Sequence, residues 1–131
     1  MKHFRSCSVL TISAVALGVL VASCGGGGSS SPAVTFAPGT VIVNAVPSLR
    51  FESTQYGPVA AGNITFGYVN QDTVRHKLII AKDDVKVGNL KLVIGKKGST
   101  DTSSVSLEAG SYQLICDVPG HGNMKATFIV E

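Results

Sequence analysis

The chain has 131 residues, of which 44% are hydrophobic and 15% are charged, and its formal net charge is +3 at pH 7. Lys2 and Arg5 lie in an N-terminal segment that we expect to be removed. Without them, Lys and Arg fall from 11 to 9 against 8 acidic residues, a formal charge of +1. Nucleic-acid binding requires many basic side chains to neutralise phosphates. The composition therefore excludes nucleic acid as a partner.

The first 23 residues have the features of an export signal. Two basic residues precede an uncharged apolar stretch from Val9 to Ala22, which ends in small residues. This stretch is too short for a comfortable membrane span of roughly 20 apolar residues. Leu20-Val-Ala-Ser-Cys24 resembles the bacterial lipobox, whose Cys becomes the lipidated first residue of the mature protein. We therefore predict a lipoprotein signal peptide at 1–23. The alternative is an ordinary secretory signal with a chance Cys at its end.

A run of Gly and Ser follows the predicted lipidation site. Residues 25–28 are Gly and residues 29–31 are Ser, a composition typical of a flexible tether. We expect residues 24–32 to carry lipid on Cys24 and to hold a domain away from the bilayer. The protein would then be an exported lipoprotein of the periplasm or cell surface, with one domain at 33–131.

Short apolar segments separated by turn residues fill the rest of the chain. Ile64, Phe66 and Tyr68 alternate with other residues in the period of two that is typical of a strand. Gly, Pro, Asn and Asp separate this segment from similar ones. The predicted strands are Val41–Val46, Leu49–Phe51, Asn63–Asn70, Lys77–Ala81, Ser104–Leu107, Ser111–Cys116 and Lys125–Val130. No window shows a helical period over three turns, so we predict an all-β, antiparallel β-sandwich or barrel.

Residues 82–102 show the weakest pattern. They contain the charged pairs Asp83-Asp84 and Lys96-Lys97 around the apolar segment Leu90–Ile94. A loop, a short helix and a strand with mobile flanks all fit this segment. We expect the charged pairs to lie on the solvated surface.

The most informative segment is Cys116-Asp-Val-Pro-Gly-His121-Gly-Asn-Met124. It brings a thiol, an imidazole and a thioether within nine residues, and a second imidazole, His76, lies 40 positions upstream. Cys116 ends a predicted strand and Pro119-Gly120 turns the chain, so one loop can direct three donor atoms at one point. His76 begins a predicted strand and could complete the site. Two His and one Cys, with a weak and long Met bond, form a blue-copper electron-transfer site.

Each of these residues also has a simpler interpretation. A buried Cys is usually a small apolar filler, Met124 could belong to the core, and either His could face solvent. However, Cys116 is the only Cys in 33–131, so this segment cannot form an internal disulfide. A lone thiol in an exported domain calls for a specific role.

Residues 34–131 resemble the cupredoxins, the small blue copper proteins such as plastocyanin, azurin and auracyanin. The resemblance rests on Ala61-Gly-Asn-Ile-Thr-Phe66, on Asn70 leading to His76, and on the segment from Ala109 to Val130 that contains the Cys-His-Met loop. It implies a Greek-key β-sandwich with one type 1 copper ion. The ligands that it implies are His76, Cys116, His121 and Met124.

The chain departs from the family pattern directly after the upstream His. The family commonly has Asn there, where it ties two ligand loops together, and this chain has Lys77. We expect Lys77 to be a solvent-facing strand residue. The residues that surround a metal site tune its properties, so the resemblance does not transfer a reduction potential.

The leading hypothesis is a monomeric, lipid-anchored one-electron carrier that exchanges electrons with redox proteins such as cytochromes near His121. A copper-delivery protein without redox turnover is the alternative, although such proteins more often show clusters of exposed Met and His. Copper oxidases and nitrite reductases need further His ligands, and only His76 and His121 remain after processing. We therefore predict that the protein is not an enzyme. A metal-free sandwich used in adhesion is the remaining alternative.

Overall fold

The structure, a computed structural model, describes residues 33–131. The predicted signal peptide, the tether and Cys24 lie outside the described residues. Within them the chain forms ten strands and no helix. The strands are β1 (Val41–Val46), β2 (Arg50–Phe51), β3 (Gln55–Val59), β4 (Gly62–Asn70), β5 (His76–Lys82), β6 (Val85–Lys86), β7 (Leu92–Ile94), β8 (Thr100–Leu107), β9 (Gly110–Ile115) and β10 (Lys125–Val130).

The strands are arranged in two sheets. The first has the order β2-β1-β4-β8, and the second has the order β3-β10-β9-β5-β6, with β7 paired to β5. All seven predicted strands are present, and the chain is all-β as the sequence predicted. No helix among residues 33–131 is long and apolar enough to cross a membrane.

Most of the strand pairs are antiparallel, as predicted, but two pairs are parallel. β1 pairs with β4, and β3 pairs with β10, in the same direction. Parallel neighbours need a connection long enough to carry the chain back to its starting end. Residues 47–61, which include β2 and β3, provide that connection between β1 and β4. The sheets are therefore mixed.

The core lies between the two sheets. Ile64, Phe66 and Tyr68 of β4 are all buried, as their alternation predicted. Phe66, from the first sheet, meets Phe128 of β10, from the second, with ring centroids 5.0 Å apart and an interplanar angle of 63°. Burying an aromatic side chain of this size contributes about 2 kcal/mol relative to leaving it exposed. Edge contacts between rings add to that contribution.

The two ends of the sandwich are defined by the strands that stop or begin at each, and we call the first the site end. β4 and β9 stop there, and β5 and β10 begin there. The opposite end, where β5 stops and β9 begins, is called the far end. Residues 82–102, left open by the sequence, supply β6 and β7, which pair with β5 of the second sheet, and the start of β8, the edge strand of the first sheet.

Candidate metal centre

His76 begins β5 at the site end and is completely buried. The loop before it is held by Asn70, the last residue of β4. The Asn70 side chain accepts a hydrogen bond from the Asp72 backbone N–H (2.9 Å) and donates one to the Val74 carbonyl (2.8 Å). Because such side-chain bonds mimic a backbone turn, residues 70–76 have a defined shape that fixes where the imidazole enters the core.

Asp72 orients the imidazole ring of His76. The Asp72 Oδ2 atom lies 3.1 Å from His76 Nε2, and Asp72 Oδ1 accepts the Thr73 backbone N–H at 2.7 Å. With Nε2–H donated to the carboxylate, Nδ1 is left as the lone-pair nitrogen, which is the state that a metal needs. Burial by itself raises the pKa of Asp72, but its hydrogen bonds from Thr73 and His76 lower the pKa below its usual value.

The protonation state of His76 also suits a ligand. Burial lowers the pKa of His76, the Asp72 carboxylate opposes this change, and neighbouring His121 adds to the lowering. The net direction is downward, so the ring is neutral at pH 7. A neutral imidazole is the form that binds metals.

Cys116 follows directly after β9 and is buried, with 3% of its surface exposed. Three backbone hydrogen bonds fold the loop that follows it. The N–H of His121 donates to the Val118 carbonyl (3.0 Å), the N–H of Met124 donates to the His121 carbonyl (2.8 Å), and the N–H of Cys116 donates to the Met124 carbonyl (3.1 Å). The loop therefore closes on itself and brings His121 back over Cys116.

The structure brings His76, Cys116 and His121 together. The Cys116 Sγ atom lies 3.9 Å from His76 Nδ1 and 3.4 Å from His121 Nδ1. The three donor atoms all lie within 4.8 Å of one another. The two imidazole rings are 5.0 Å apart between centroids and tilted by 52°. Of the three side chains, His121 alone is only partly buried.

The sequence also singled out Met124 and Lys77, and their surroundings differ from those of the three donor residues. Met124 is 1% exposed and belongs to the hydrophobic core next to the loop, where its backbone holds Cys116 and His121. Lys77 is half-exposed on β5 and pairs with Val93 of β7.

Sequence reasoning missed the contribution of Asn70 and Asp72. The sequence pointed to Asn70 only as a residue that leads to His76, whereas the side chains of Asn70 and Asp72 build the loop and orient the ring. The signal was present, because Asp72 lies four residues before a candidate ligand His. A carboxylate behind a ligating His is a common arrangement in metal sites.

The donor set fits one type 1 copper ion. A thiolate is a soft ligand that favours copper, and two imidazole nitrogens complete the trigonal His₂Cys arrangement typical of blue-copper sites. Zinc also accepts Cys and His, but its structural sites are closed by four strong ligands. Among residues 33–131 this cluster offers three such donors, with the thioether of Met124 in the same loop.

Comparisons with known proteins give the same fold. Auracyanin A, a "blue" copper protein from Chloroflexus aurantiacus, superposes with a TM-score of 0.59 at 20% identity over 70% of this chain and 98% of its own. Auracyanin B superposes with a TM-score of 0.59 at 25% identity, over 75% of this chain and 93% of its own. A reduced Cu(I) form of an amicyanin variant gives a TM-score of 0.52 at 20% identity, over 73% and 86% of the two chains.

These likenesses show that the chain has the fold of the small blue copper proteins, the cupredoxins, as its metal-loop residues predicted. No family model matches the sequence. No curated protein sequence matches it either.

Proposed function

We propose that the protein is a one-electron carrier with a mononuclear type 1 copper site. The proposed ligands are His76 Nδ1, Cys116 Sγ and His121 Nδ1, with the Met124 thioether as the weak axial ligand. The observation that carries the proposal is the convergence of the two Nδ1 atoms on one buried sulfur, at 3.9 and 3.4 Å. A copper ion held there would change by one electron between its two common oxidation states.

The chain supplies a fixed set of donors for that ion. Asp72 holds the ring of His76, and the closed loop holds Cys116 and His121, so little of the protein needs to move when the charge changes. Cys116 and His76 are shielded from water, and this shielding together with hydrogen bonding controls the potential of such sites. The site therefore favours rapid electron exchange over binding and conversion of a substrate.

His121 is the proposed point of electron exchange with a partner. Its ring is the only one of the three donors that is partly exposed, and the uncharged residues Val118, Pro119, Gly120 and Gly122 surround it in the loop. A redox protein that contacts this loop would need only a small and short-lived interface. We therefore propose redox proteins such as cytochromes as partners, and a monomer as the working form.

We also propose that the domain is attached to a membrane outside the cytoplasm through lipid on Cys24. The lipobox-like segment that ends at Cys24 and the Gly/Ser run after it support this proposal. Expression of the full-length chain in bacteria should place the protein in the membrane fraction. Metabolic labelling with radioactive palmitate should mark the parent chain and not Cys24→Ser, and equal labelling of the two, or none, would contradict lipid anchoring.

The visible spectrum of the full-length protein after addition of copper(II) and oxidant tests the function. We expect an intense absorption band from a thiolate–copper bond, absent in Cys116→Ser. Reversible loss and return of the band with reductant and oxidant would show one-electron cycling. Copper binding without colour would favour a delivery protein, and no copper binding would overturn the proposed site. Ser103→Ala, a strand residue of the other sheet, serves as a control that should keep the band.

A further inference from the structure

The charged residues of the described domain are unevenly distributed. The far end carries four acidic residues and one basic residue. Two of the acids lie in the β5–β6 turn, one lies in the β8–β9 turn and one follows β10. They are Asp83, Asp84, Glu108 and Glu131, all exposed, and the basic residue is Lys82.

The site end and the adjoining edge of the second sheet carry the opposite charge. Eight of the nine basic residues of 33–131 lie there, against four acidic residues, so this part has a formal net charge of +4 and the far end has −3. All four acids have partners within the fold: Asp72 contacts His76, Asp101 accepts the Val93 N–H, Glu52 accepts from the Asn44 side chain, and Asp117 pairs with Lys86. The basic residues are Arg50, Arg75, Lys77, Lys86, Lys91, Lys96, Lys97 and Lys125.

Three of these lysines line an open pocket of about 260 Å³ beside the metal centre. We call it the lysine groove; Lys77, Lys86, Lys91 and Asp117 supply its charged groups. Asp117 directly follows Cys116 in the chain, so the groove adjoins the proposed copper ligand. Its three positive charges outnumber its single negative one.

Asp117 does not cancel the positive character of the groove. Its carboxylate pairs with Lys86 Nζ at 2.8 Å, which occupies one of the three lysines. All three lysines line the same pocket, so Lys77 and Lys91 remain available to an incoming negative group.

We propose that the lysine groove and the surrounding site end form a docking surface for a redox protein with an acidic face. This inference rests on the proposed electron-carrier function and names the chemistry of its partner. A molecule whose two ends differ in charge turns its positive end toward a negative partner before contact. Such steering raises association rates. Here the positive end is also the end at which His121 is partly exposed, so orientation by charge brings the copper site to the interface.

The first test is a pair of charge reversals followed by stopped-flow oxidation of the reduced copper protein with hexacyanoferrate(III), an anionic probe. Lys91→Glu in the groove and Lys82→Glu at the far end change the net charge equally. We expect the rate for the parent protein to fall about tenfold as ionic strength rises from about 0.01 M to 0.15 M. Lys91→Glu should lose most of this dependence, and Lys82→Glu should keep it. Equal slopes for the two variants would overturn the proposal.

A binding measurement separates failure of this inference from failure of the copper function. Amide chemical shifts of the metal-free protein are recorded with poly-L-glutamate as a mimic of an acidic protein face. Shifts confined to the groove and the site end support the docking surface even if no blue band forms. Shifts spread evenly over both ends, or no shifts, overturn it. Displacement of the polypeptide by inorganic phosphate at matched ionic strength would make the groove a small-anion site and would also overturn it.

Discussion

At the residue scale, the hydrogen bond between Asp72 and His76 fixes the orientation of one proposed copper ligand. The carboxylate is almost buried, and it accepts hydrogen bonds from the Thr73 backbone and from the imidazole. An amide in place of this carboxylate keeps a hydrogen-bond acceptor but removes the negative charge. The substitution therefore isolates the electrostatic part of the contact.

We expect Asp72→Asn to weaken copper binding by about 10- to 100-fold, the usual effect of losing a partner behind a ligating His. The reduction potential should rise, because a negative charge near the ion stabilises its more oxidised form. Competition with a chelator measures the affinity, and voltammetry measures the potential. Asp84→Asn is the control, since that exposed carboxylate lies in the β5–β6 turn at the far end. Unchanged affinity in Asp72→Asn would show that the carboxylate only shapes the apo loop.

Tyr68 offers a second test at this scale. Its side chain is completely buried, burial raises the pKa of its phenol, and its hydroxyl has no hydrogen-bond partner among the described residues. A buried hydroxyl without a partner costs about 1–3 kcal/mol. We therefore expect Tyr68→Phe to increase the free energy of unfolding by about 1 kcal/mol, measured by urea denaturation.

The matched substitution is Tyr112→Phe. The Tyr112 hydroxyl donates to the Glu108 carbonyl at 2.8 Å, so its removal should decrease the free energy of unfolding by about 1 kcal/mol. An increase in the free energy of unfolding for Tyr68→Phe and a decrease for Tyr112→Phe would confirm that the first hydroxyl lacks a partner and the second has one. Destabilisation by Tyr68→Phe would mean that this hydroxyl is satisfied in solution.

At the element scale, β3 depends on a close approach of two backbones. Gly57 has φ of +88°, and a Cβ atom built there would overlap the carbonyl oxygen of Ile129 in β10. An alanine there would have an unfavourable backbone conformation. Its Cβ atom would also clash with a backbone atom, which cannot change rotamer to relieve the contact.

We expect Gly57→Ala to lower the free energy of unfolding by about 2 kcal/mol or more, because β3 must move away from β10. Gly95→Ala is the control, since a Cβ atom there meets nothing within 4 Å and no positive φ is required. Urea denaturation of both variants measures the difference. Equal stabilities would indicate that β3 can separate from β10 at little cost.

The residue pattern within one segment was enough to predict strands whose buried and exposed residues alternate. It was not enough where a segment becomes a strand only through its pairing partner. β4 and β10 follow from their buried residues alone, whereas β3 contains Gly57 and Pro58, two residue types that are depleted in strands. It becomes a strand because it lies at the edge of a sheet, where Pro is tolerated, against a partner some seventy residues away. Parallel pairing escaped prediction for the same reason, because no local window contains both partners.

The candidate site was more predictable than the sheet order. Cys116, His121 and Met124 share one short loop, so their proximity follows from the chain itself, and His76 joins them through the β5–β9 pairing. Asp72 was not predicted as a participant. Its role depends on the direction in which Asn70 folds the preceding loop, and residue spacing alone does not encode that direction.

At the scale of the whole molecule, the titration of the metal centre couples to the stability of the fold. The pKa of His76 is lower in the folded protein than in the unfolded chain, chiefly through burial. The unfolded chain therefore takes up the proton first as the pH falls below about 6.5, and acid favours unfolding. The contribution from Asp72, whose pKa is also lowered, is lost only at more acidic pH.

We expect the metal-free protein to have a lower free energy of unfolding at pH 5.5 than at pH 7.5. His76→Gln should remove most of this difference, since the group that takes up the proton is gone. Urea titrations at the two pH values measure both. A parent protein whose stability is the same at pH 5.5 and 7.5 would contradict the lowered pKa of His76.

The closed hydrogen-bonding of the loop after Cys116 has a consequence for how such a site can diversify. The sheet sets only one condition on this loop, that Ile115 and Lys125 face each other as partners in β9 and β10. Between them the backbone is folded by hydrogen bonds internal to the loop, whereas the side chains of Cys116 and Met124 belong to the core. The exposed loop residues between these two, such as Pro119, Gly120 and Gly122, can therefore be exchanged while the two strands keep their register. The surface around His121 can then change with little effect on the stability of the sandwich.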